Sequence, residues 1–507
     1  MSCAIDSINS YFQTHCLAGK IKLSLLTIRA HRHRSSPKIT SMDGGAGAGE
    51  RRRHTVASKP NKRPRRSSEA RLKKEVPACG GDIEDTVAFT GEETTKIRAS
   101  LLHWYDRNRR DLPWRRTSDT KANGDEGERE RRAYEVWVSE VMLQQTRVQT
   151  VIDYFNRWMQ KWPTVQHLAR ASLEEVNEMW AGLGYYRRAR FLLEGAKMIV
   201  EDGCGFPNTV SGLRKVKGIG EYTAGAIASI AFNEAVPIVD GNVARVTARL
   251  KAISANPKDK VTIKNFWKLA GQLVDPCRPG DLNQALMELG ATICSPVNPS
   301  CDTCPISTQC RALSLSAQDE SVVVTDFPTK VVKAKQRHDY SAVTVVEILE
   351  SQDMEEHESN SKFLIVKRPN EGLLAGLWEF PSVLLDGEAD LTSRRKATDN
   401  LLRSSFNLDT KRLYSVNSRE HVGEYVHIFT HIRLKMYIEL LVLCPKGTRN
   451  VPGRKEGKEE TAMWKYVDKK ELSTMGLTSG VRKVYDMIQK YKQSKLDSIS
   501  EKQRLRK

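Results

Sequence analysis

Four cysteines, Cys294, Cys301, Cys304 and Cys310, fall within 17 residues at the spacing C-x6-C-x2-C-x5-C. No other feature of the chain restricts its folding as much. Thiolates that close in sequence can wrap one soft metal centre, and such ligands select an iron–sulfur cluster or zinc. Pro296, Pro299 and Pro305 discourage helix through the run, so the cysteines are expected on a loop folded around that centre. A structural zinc also accepts four thiolates, and spacing alone leaves the choice open. Disulfides are the weaker alternative, because nothing in the sequence marks a secreted protein. The other six cysteines are scattered, as in a reducing compartment.

The chain has 507 residues, room for two or three domains. Lys and Arg number 81 against 62 Asp and Glu, a net charge of +19. Residues 1–80 hold 17 of the basic residues and 5 of the acidic ones. That balance favours anionic partners, nucleic acid first. Residues 1–84 read as a disordered basic targeting region rich in Arg, Ser and Gly. The first 42 residues contain one acid, Asp6, which suits an organellar transit peptide. Arg51-Arg52-Arg53 and the Lys59 to Arg66 run read as a nuclear import signal. The nucleus is the expected location, with mitochondrion or plastid second. No run approaches 18 consecutive apolar residues, so no membrane span is expected.

Residues 85–312 carry apolar residues at helical spacing, for instance Trp137, Val138, Val141 and Met142, and read as an all-α domain. The charged insert from Thr117 to Arg132 reads as a surface loop. Residues 313–337 read as a linker. From 338 to 492 the pattern changes to an α+β domain, with strands expected at Tyr340–Leu349, Phe363–Lys367 and Leu434–Leu443 and helices near 394–403 and 479–492. Residues 493–507 read as a frayed polar tail.

Three segments carry chemistry. Gly218-Ile219-Gly220 feeds an apolar helix that begins near Glu221. The glycines let backbone N–H groups approach an anion, and the helix N-terminus adds positive charge, which suits a DNA phosphate. A plain helix corner is the alternative. Asp240 and Asn242 stand between an apolar stretch and a further helix. Either residue would cap that helix, and a fixed carboxylate there can also stabilise a sugar cation. Glu140 interrupts the apolar run Trp137–Leu143. Desolvation keeps such an acid protonated near neutral pH, as a general acid requires. A solvated face or a buried ion pair is the alternative.

With Ser139–Thr146, Gly182–Arg190, the glycine turn, the Asp240 segment, Asn283–Ala291 and the four cysteines in view, the chain resembles the MutY family of the endonuclease III superfamily. These are adenine DNA glycosylases that act opposite 8-oxoguanine. The resemblance implies a helix-hairpin-helix glycosylase with a [4Fe–4S] cluster on Cys294, Cys301, Cys304 and Cys310, followed by a Nudix-like domain that reads the lesion. It implies Glu140 as the acid on the adenine, Asp240 as the stabiliser of the sugar cation, Asn242 as its support, and Tyr222 in the pocket. Gly218 and Gly220 would meet the DNA backbone. Gln145, Thr146, Leu183 and Tyr185 would approach the 8-oxoguanine, with Arg188 and Gln284 as further base contacts. Phe429-Thr430-His431 resembles the lesion-contacting loop, with Thr430 where many relatives have Ser. The stretch Arg394–Leu402 lacks the glutamates with which a working Nudix helix holds magnesium. The implied partner is double-stranded DNA with A·8-oxoguanine or A·G mispairs. A repair or replication clamp is a candidate partner through the linker, and a monomer is expected. Endonuclease III-like oxidised-pyrimidine glycosylase/lyases, the rival reading, place a Schiff-base lysine where this chain has Tyr222. A tyrosine forms no imine, so a monofunctional enzyme is expected. Ala244, a lysine in bacterial relatives, removes another candidate amine.

Overall fold

The computed structural model describes residues 88–115, 125–331, 335–349, 361–369, 372–406, 408, 413–446 and 463–504, all of them within one compact unit, Cys79–Lys507. The basic targeting region expected over 1–84 lies outside the described residues.

Helix starts follow local chemistry. Thr90 and Ser172 each form a capping box with the glutamate three residues on. Thr164, Thr209, Asp240 and Asp468 accept a backbone N–H from the first turn they cap. The helical part comprises α1 (Gly91–Asn108), α2 (Glu126–Leu143), α3 (Val148–Lys161), α4 (Val165–Ala169), α5 (Leu173–Trp180), α6 (Arg187–Asp202), α7 (Val210–Leu213), α8 (Glu221–Phe232), α9 (Gly241–Leu250), α10 (Lys260–Leu273), α11 (Pro279–Thr292) and α12 (Arg311–Gln318). Two cores result. One gathers Trp137, Trp158, Trp180 and Leu213 from α2 to α8. The other packs Leu101, Val246, Phe266 and Leu286 from α1 and α9 to α11 against the cysteine loop. α2 and α8 are buried along most of their length, and the cleft between the two cores is where their polar exceptions collect.

The second part is a seven-stranded mixed sheet: β1 (Arg337–Leu349), β2 (Ser361–Lys367), β3 (Trp378–Glu379), β4 (Ser382–Leu385), β5 (Tyr414–Ile428), β6 (Ile432–Pro445) and β7 (Trp464–Asp468). The order is β3-β2-β1-β6-β5, with β4 on β1 and β7 on β2. β1 and β6 run parallel, pairing Val343 with Ile438 and Val345 with Leu440. Both are buried on two faces because helices cover each side. α13 (Leu391–Phe406) lays Leu402 and Phe406 on one face. α15 (Ser479–Arg504) lays Val484 and Ile488 on the other. Between β7 and α15 lies the short α14 (Lys469–Thr474).

Three expectations are corrected. The insert from Thr117 to Arg132 is not all loop: α2 begins at Glu126, its first two turns polar and largely exposed, while 116–124 lie outside the described residues. The supposed linker 313–337 is largely folded onto the helical part. α12 runs through it to Gln318, and the buried Phe327 offers its carbonyl to Arg249 Nε at 3.2 Å. The tail 493–507 continues α15 to Arg504, because no Gly or Pro stops the helix and a Lys495–Glu420 ion pair ties it to β5.

The two parts are seated on one another. Leu374 and Leu377 of the sheet domain pack into the tryptophan core. Lys367 Nζ meets Glu174 Oε1 at 3.0 Å. Gly476 lies on the backbone of α5, where a Cβ would fall 2.6 Å from Glu178 N and 2.7 Å from Asn177 C. Nothing there can move aside like a flexible side chain. Gly476→Val should therefore lower stability by about 1–3 kcal/mol, the usual cost of overpacking. Chemical denaturation would measure that loss, and faster amide exchange along α5 would locate it; wild-type values for both would show that the interface is loose.

Candidate active site

One cavity lies between the two helical cores, lined by residues of α2, α8, α9 and α11. Glu140 on α2, Tyr222 on α8 and Asp240 at the start of α9 all face it. Tyr222 Oη donates to Glu140 Oε2 at 2.6 Å and lies 3.2 Å from Met287 Sδ. Burial pushes the Glu140 carboxyl up to about 7; the phenol pulls it down, Asp240 pushes it up, and Arg115 pulls it down. Burial and the same two carboxyls raise the Tyr222 phenol well above its ordinary value. Asp240 is also raised by burial, but its anion is held by hydrogen bonds. Its Oδ1 accepts from Val243 N at 2.7 Å, and its Oδ2 from Asn242 Nδ2 at 2.7 Å. So capping and an inward-facing carboxylate coexist at Asp240. Burial raises both carboxyls, and of the two only Asp240 has both its oxygens held by hydrogen bonds from a backbone N–H and an amide.

Sequence reasoning missed the other side of the cavity. Arg110, Trp114, Arg115 and Glu288 line it as well. Arg110 Nε reaches Glu288 Oε1 at 2.6 Å, and Arg115 Nη2 reaches Oε2 at 2.8 Å. Burial alone would raise Glu288, but the two guanidiniums outweigh it and leave the carboxyl below its ordinary value. The available signal was the one that singled out Glu140, an acid inside an apolar helix face, here Asn283–Leu289.

Of the remaining candidates, Gln145, Thr146 and Gln284 line the cavity. Gln145 and Tyr185 adopt left-handed backbone, at φ 56° and 48°, an uncommon conformation for residues with a Cβ. Tyr185 is half exposed, and its hydroxyl meets Thr430 Oγ1 of the sheet domain in a short hydrogen bond. His427 stacks edge-on to Phe429 at 4.4 Å. Leu183 is not at the surface but in the tryptophan core. Arg188 is no free base contact: its Nη1 donates to Val141 O, Met142 O and Gln144 O at 2.6–3.2 Å, tying the end of α2 to the Gly182–Gly184 turn. Gly218 has φ +85°, and a Cβ there would lie 2.6 Å from Phe191 Cβ. Gly220 faces open space and gives α8 no side-chain cap, which leaves the first N–H groups of α8 available to an anion.

The four cysteines line a separate small apolar cavity at the far end of α9. Cys294 follows α11, Cys301 and Cys304 flank a 3-10 turn, and Cys310 caps α12. Burial pushes the Cys304 thiol up to about 11 and raises Cys301 and Cys310, while N–H groups of Ile306 and Leu313 counter it at Cys304 and Cys310. Arg249 Nη1 lies 3.2 Å from Cys294 Sγ. Among the described residues no three His, Cys, Asp or Glu converge as a single-ion site. Four thiols lining one cavity are a donor set that an iron–sulfur cluster or a zinc ion takes. Arg245 links the two sites: it donates to Asn242 Oδ1, Gly290 O and Cys294 O at 2.7–2.8 Å.

The family model described as HhH-GPD superfamily base excision DNA repair protein matches residues 138–272, and a NUDIX domain model matches 356–487. An adenine DNA glycosylase of Arabidopsis thaliana is 58% identical over 450 residues, 84% of this chain and 70% of that protein. The chain belongs to the adenine DNA glycosylase family. An adenine DNA glycosylase of Homo sapiens is 43% identical over 434 residues, 78% of this glycosylase and 74% of that one. A solved thermostable thymine-DNA glycosylase, 25% identical, aligns with 44% of the chain and 98% of its own length at a TM-score of 0.38. The glycosylase is thus a DNA N-glycosylase of base excision repair, with a helix-hairpin-helix domain and a Nudix-like domain.

The Tyr222 hydrogen bond makes the electrostatics testable. It favours the Glu140 anion, so Tyr222→Phe should raise the pKa of Glu140. If Glu140 is the acid, the loss of rate on the alkaline side should then move to higher pH by about one to two pH units, since hydrogen bonds to charged groups contribute about 1.5–3 kcal/mol. A single-turnover pH profile measures it, and an unmoved limb would mean that the phenol does not touch the carboxyl in solution.

Proposed function

We propose that this glycosylase extrudes adenine from A·8-oxoguanine and A·G pairs and hydrolyses its N-glycosidic bond with Glu140 as general acid. The observation that carries the reading is the pairing of a raised Glu140 with a hydrogen-bonded Asp240 in one cavity. An extruded adenine in that cavity receives the Glu140 proton on a ring nitrogen, which makes it a better leaving group. Positive charge then grows on the sugar beside Asp240, whose carboxylate is already oriented by Val243 N and Asn242. Tyr222 fixes the Glu140 rotamer. Arg110 and Arg115 line the same cavity, held in place by Glu288. Among the described residues no lysine lines the cavity, which favours hydrolysis over imine chemistry and argues against the endonuclease III-like reading.

The contact between Tyr185 and Thr430, one from each domain, supports the sheet domain as reader of the opposite base. On α13, Arg395 engages Glu439 rather than a metal-binding carboxylate cluster, which fits recognition rather than nucleotide hydrolysis. Cys294, Cys301, Cys304 and Cys310 would hold a [4Fe–4S] cluster, which when bound would crosslink the loop to the end of α11 and the start of α12. The basic run at 51–74 supports nuclear import. The segment 313–337 remains our candidate for a clamp contact.

Glu140→Gln should bind lesion duplex yet release adenine about 10²–10⁴-fold more slowly, the usual weight of general-acid catalysis. In wild type the rate should fall as pH rises through about 7, where Glu140 loses its proton, and Glu140→Gln should lose that limb. Borohydride should trap little complex. Thr430→Ala should reduce the preference for A·8-oxoguanine over A·G a few-fold to about tenfold, for one hydrogen bond of about 0.5–1.5 kcal/mol. Single-turnover assays on the two duplexes and on thymine-glycol DNA decide the matter: wild-type rates in Glu140→Gln would refute the acid, and efficient trapping would restore the lyase.

Protein prepared without oxygen should be brown and contain iron. Zinc without iron on metal analysis would replace the cluster with a structural ion.

A further inference from the structure

Asp240 borders a second groove, separate from the base cavity. Its walls are Phe266 and Trp267 of α10, Pro296 of the cysteine loop, and residues 325–331. That last wall is tied down, by Arg249 Nε on Phe327 O and by Thr329 N on Ala255 O at 3.3 Å. Lys258 and Lys330 line the groove, are exposed, and have no acidic partner among the described residues. Past Lys258 and the exposed Asp259 that stands at the N-cap, α10 itself carries Lys260, Lys264 and Lys268 and no acid. The cysteine run 294–310, on the opposite wall, contains no Lys or Arg. Arg245 and Arg249 also line the groove but are committed to backbone carbonyls and to Asn242, so the exposed positive charge on this flank comes from the lysines, over an apolar floor.

We infer that the groove takes the sugar–phosphate backbone of the adenine-bearing strand, with Lys258 and Lys330 neutralising phosphates next to the extruded nucleotide. The inference rests on the adenine-excision reading. A nucleotide whose base fills the first cavity has its sugar at Asp240, and the strand must leave along a surface continuous with that residue. The groove is such a surface, and its net charge matches a polyanion. The apolar floor accepts deoxyribose, and the lysines require no base identity, as backbone contacts should not.

The test is the salt dependence of binding to a duplex with a tetrahydrofuran abasic analogue in the adenine position. Removing one lysine–phosphate pairing should flatten log K against log salt by about 0.9, so Lys258→Gln and Lys330→Gln together should flatten it by about 1.8. Lys→Arg at both positions should retain the wild-type slope. Neutral methylphosphonates flanking the analogue should flatten the wild-type slope likewise, and the glutamine pair should then add nothing. An unchanged slope in the glutamine pair overturns the inference. A full further loss on the methylphosphonate duplex also overturns it, because the lysines would then meet charge elsewhere. If the wild-type enzyme releases no adenine from mispaired duplex, the excision reading falls instead, and that assay is independent of these slopes.

Discussion

A carboxyl buried without a cation of its own is the constraint on which this site depends. Glu140 has a phenol as its hydrogen-bond partner, and a phenol compensates an anion weakly. Two guanidiniums line the same cavity, yet both are committed to Glu288. Were either to turn towards Glu140, the carboxyl would ionise and the proton would be lost. Glu288 therefore does more than neutralise Arg110 and Arg115: by engaging them it leaves Glu140 poised near 7, where a general acid is most effective.

The opposite requirement holds at Asp240, and the fold meets it through one helix. α9 presents Asp240 as its N-cap in the cavity and Arg249 near its other end among the cysteines. Arg245 stands between them, bonded to Asn242 on one side and to Cys294 O on the other. Gly290 lets α11 approach so closely that a Cβ would lie 2.6 Å from Asn242 Cβ. The cysteine loop and the Asp240 carboxylate are thus ordered by the same packing, although they lie at opposite ends of the helix.

Much of this was legible in the sequence where chemistry is concentrated in a single residue type. Glu140 and Asp240 stood out because an acid inside apolar periodicity needs a reason, and the cysteines because four thiols in one short run need a partner. What stayed hidden depended on tertiary context. Arg110 and Arg115 look like any charged surface run until Glu288, more than 170 residues away, is brought against them. Leu183 and Arg188 share a motif with Tyr185, but only folding shows that the leucine is core, the arginine a brace for backbone carbonyls, and the tyrosine exposed. β5 escaped notice because it is a sheet-edge strand with few fully buried positions, bulged on either side of His421, and so lacks clean alternation. The helical continuation of α15 was missed for the converse reason: a polar helix held by surface ion pairs carries no apolar period to detect.

The seating of the two domains constrains how a partner base could be read. Leu374 and Leu377 are part of the tryptophan core of the helical domain, so the sheet domain is not a module on a flexible tether. Tyr185 reaches Thr430 from a turn that is itself over-determined. Trp180 Nε1 donates to Gly184 O at 2.9 Å, Tyr154 Oη to Ala181 O at 2.6 Å, and Arg188 braces the Leu183 and Gly184 carbonyls. Those bonds hold Tyr185 in its left-handed conformation, which an isolated turn would relax. Arg188 also fixes the end of α2, three residues beyond Glu140. One guanidinium therefore joins the element that carries the acid to the turn that carries the tyrosine. The spacing between the excision cavity and the Tyr185–Thr430 contact is set by packing and hydrogen bonds within the protein, before any DNA arrives.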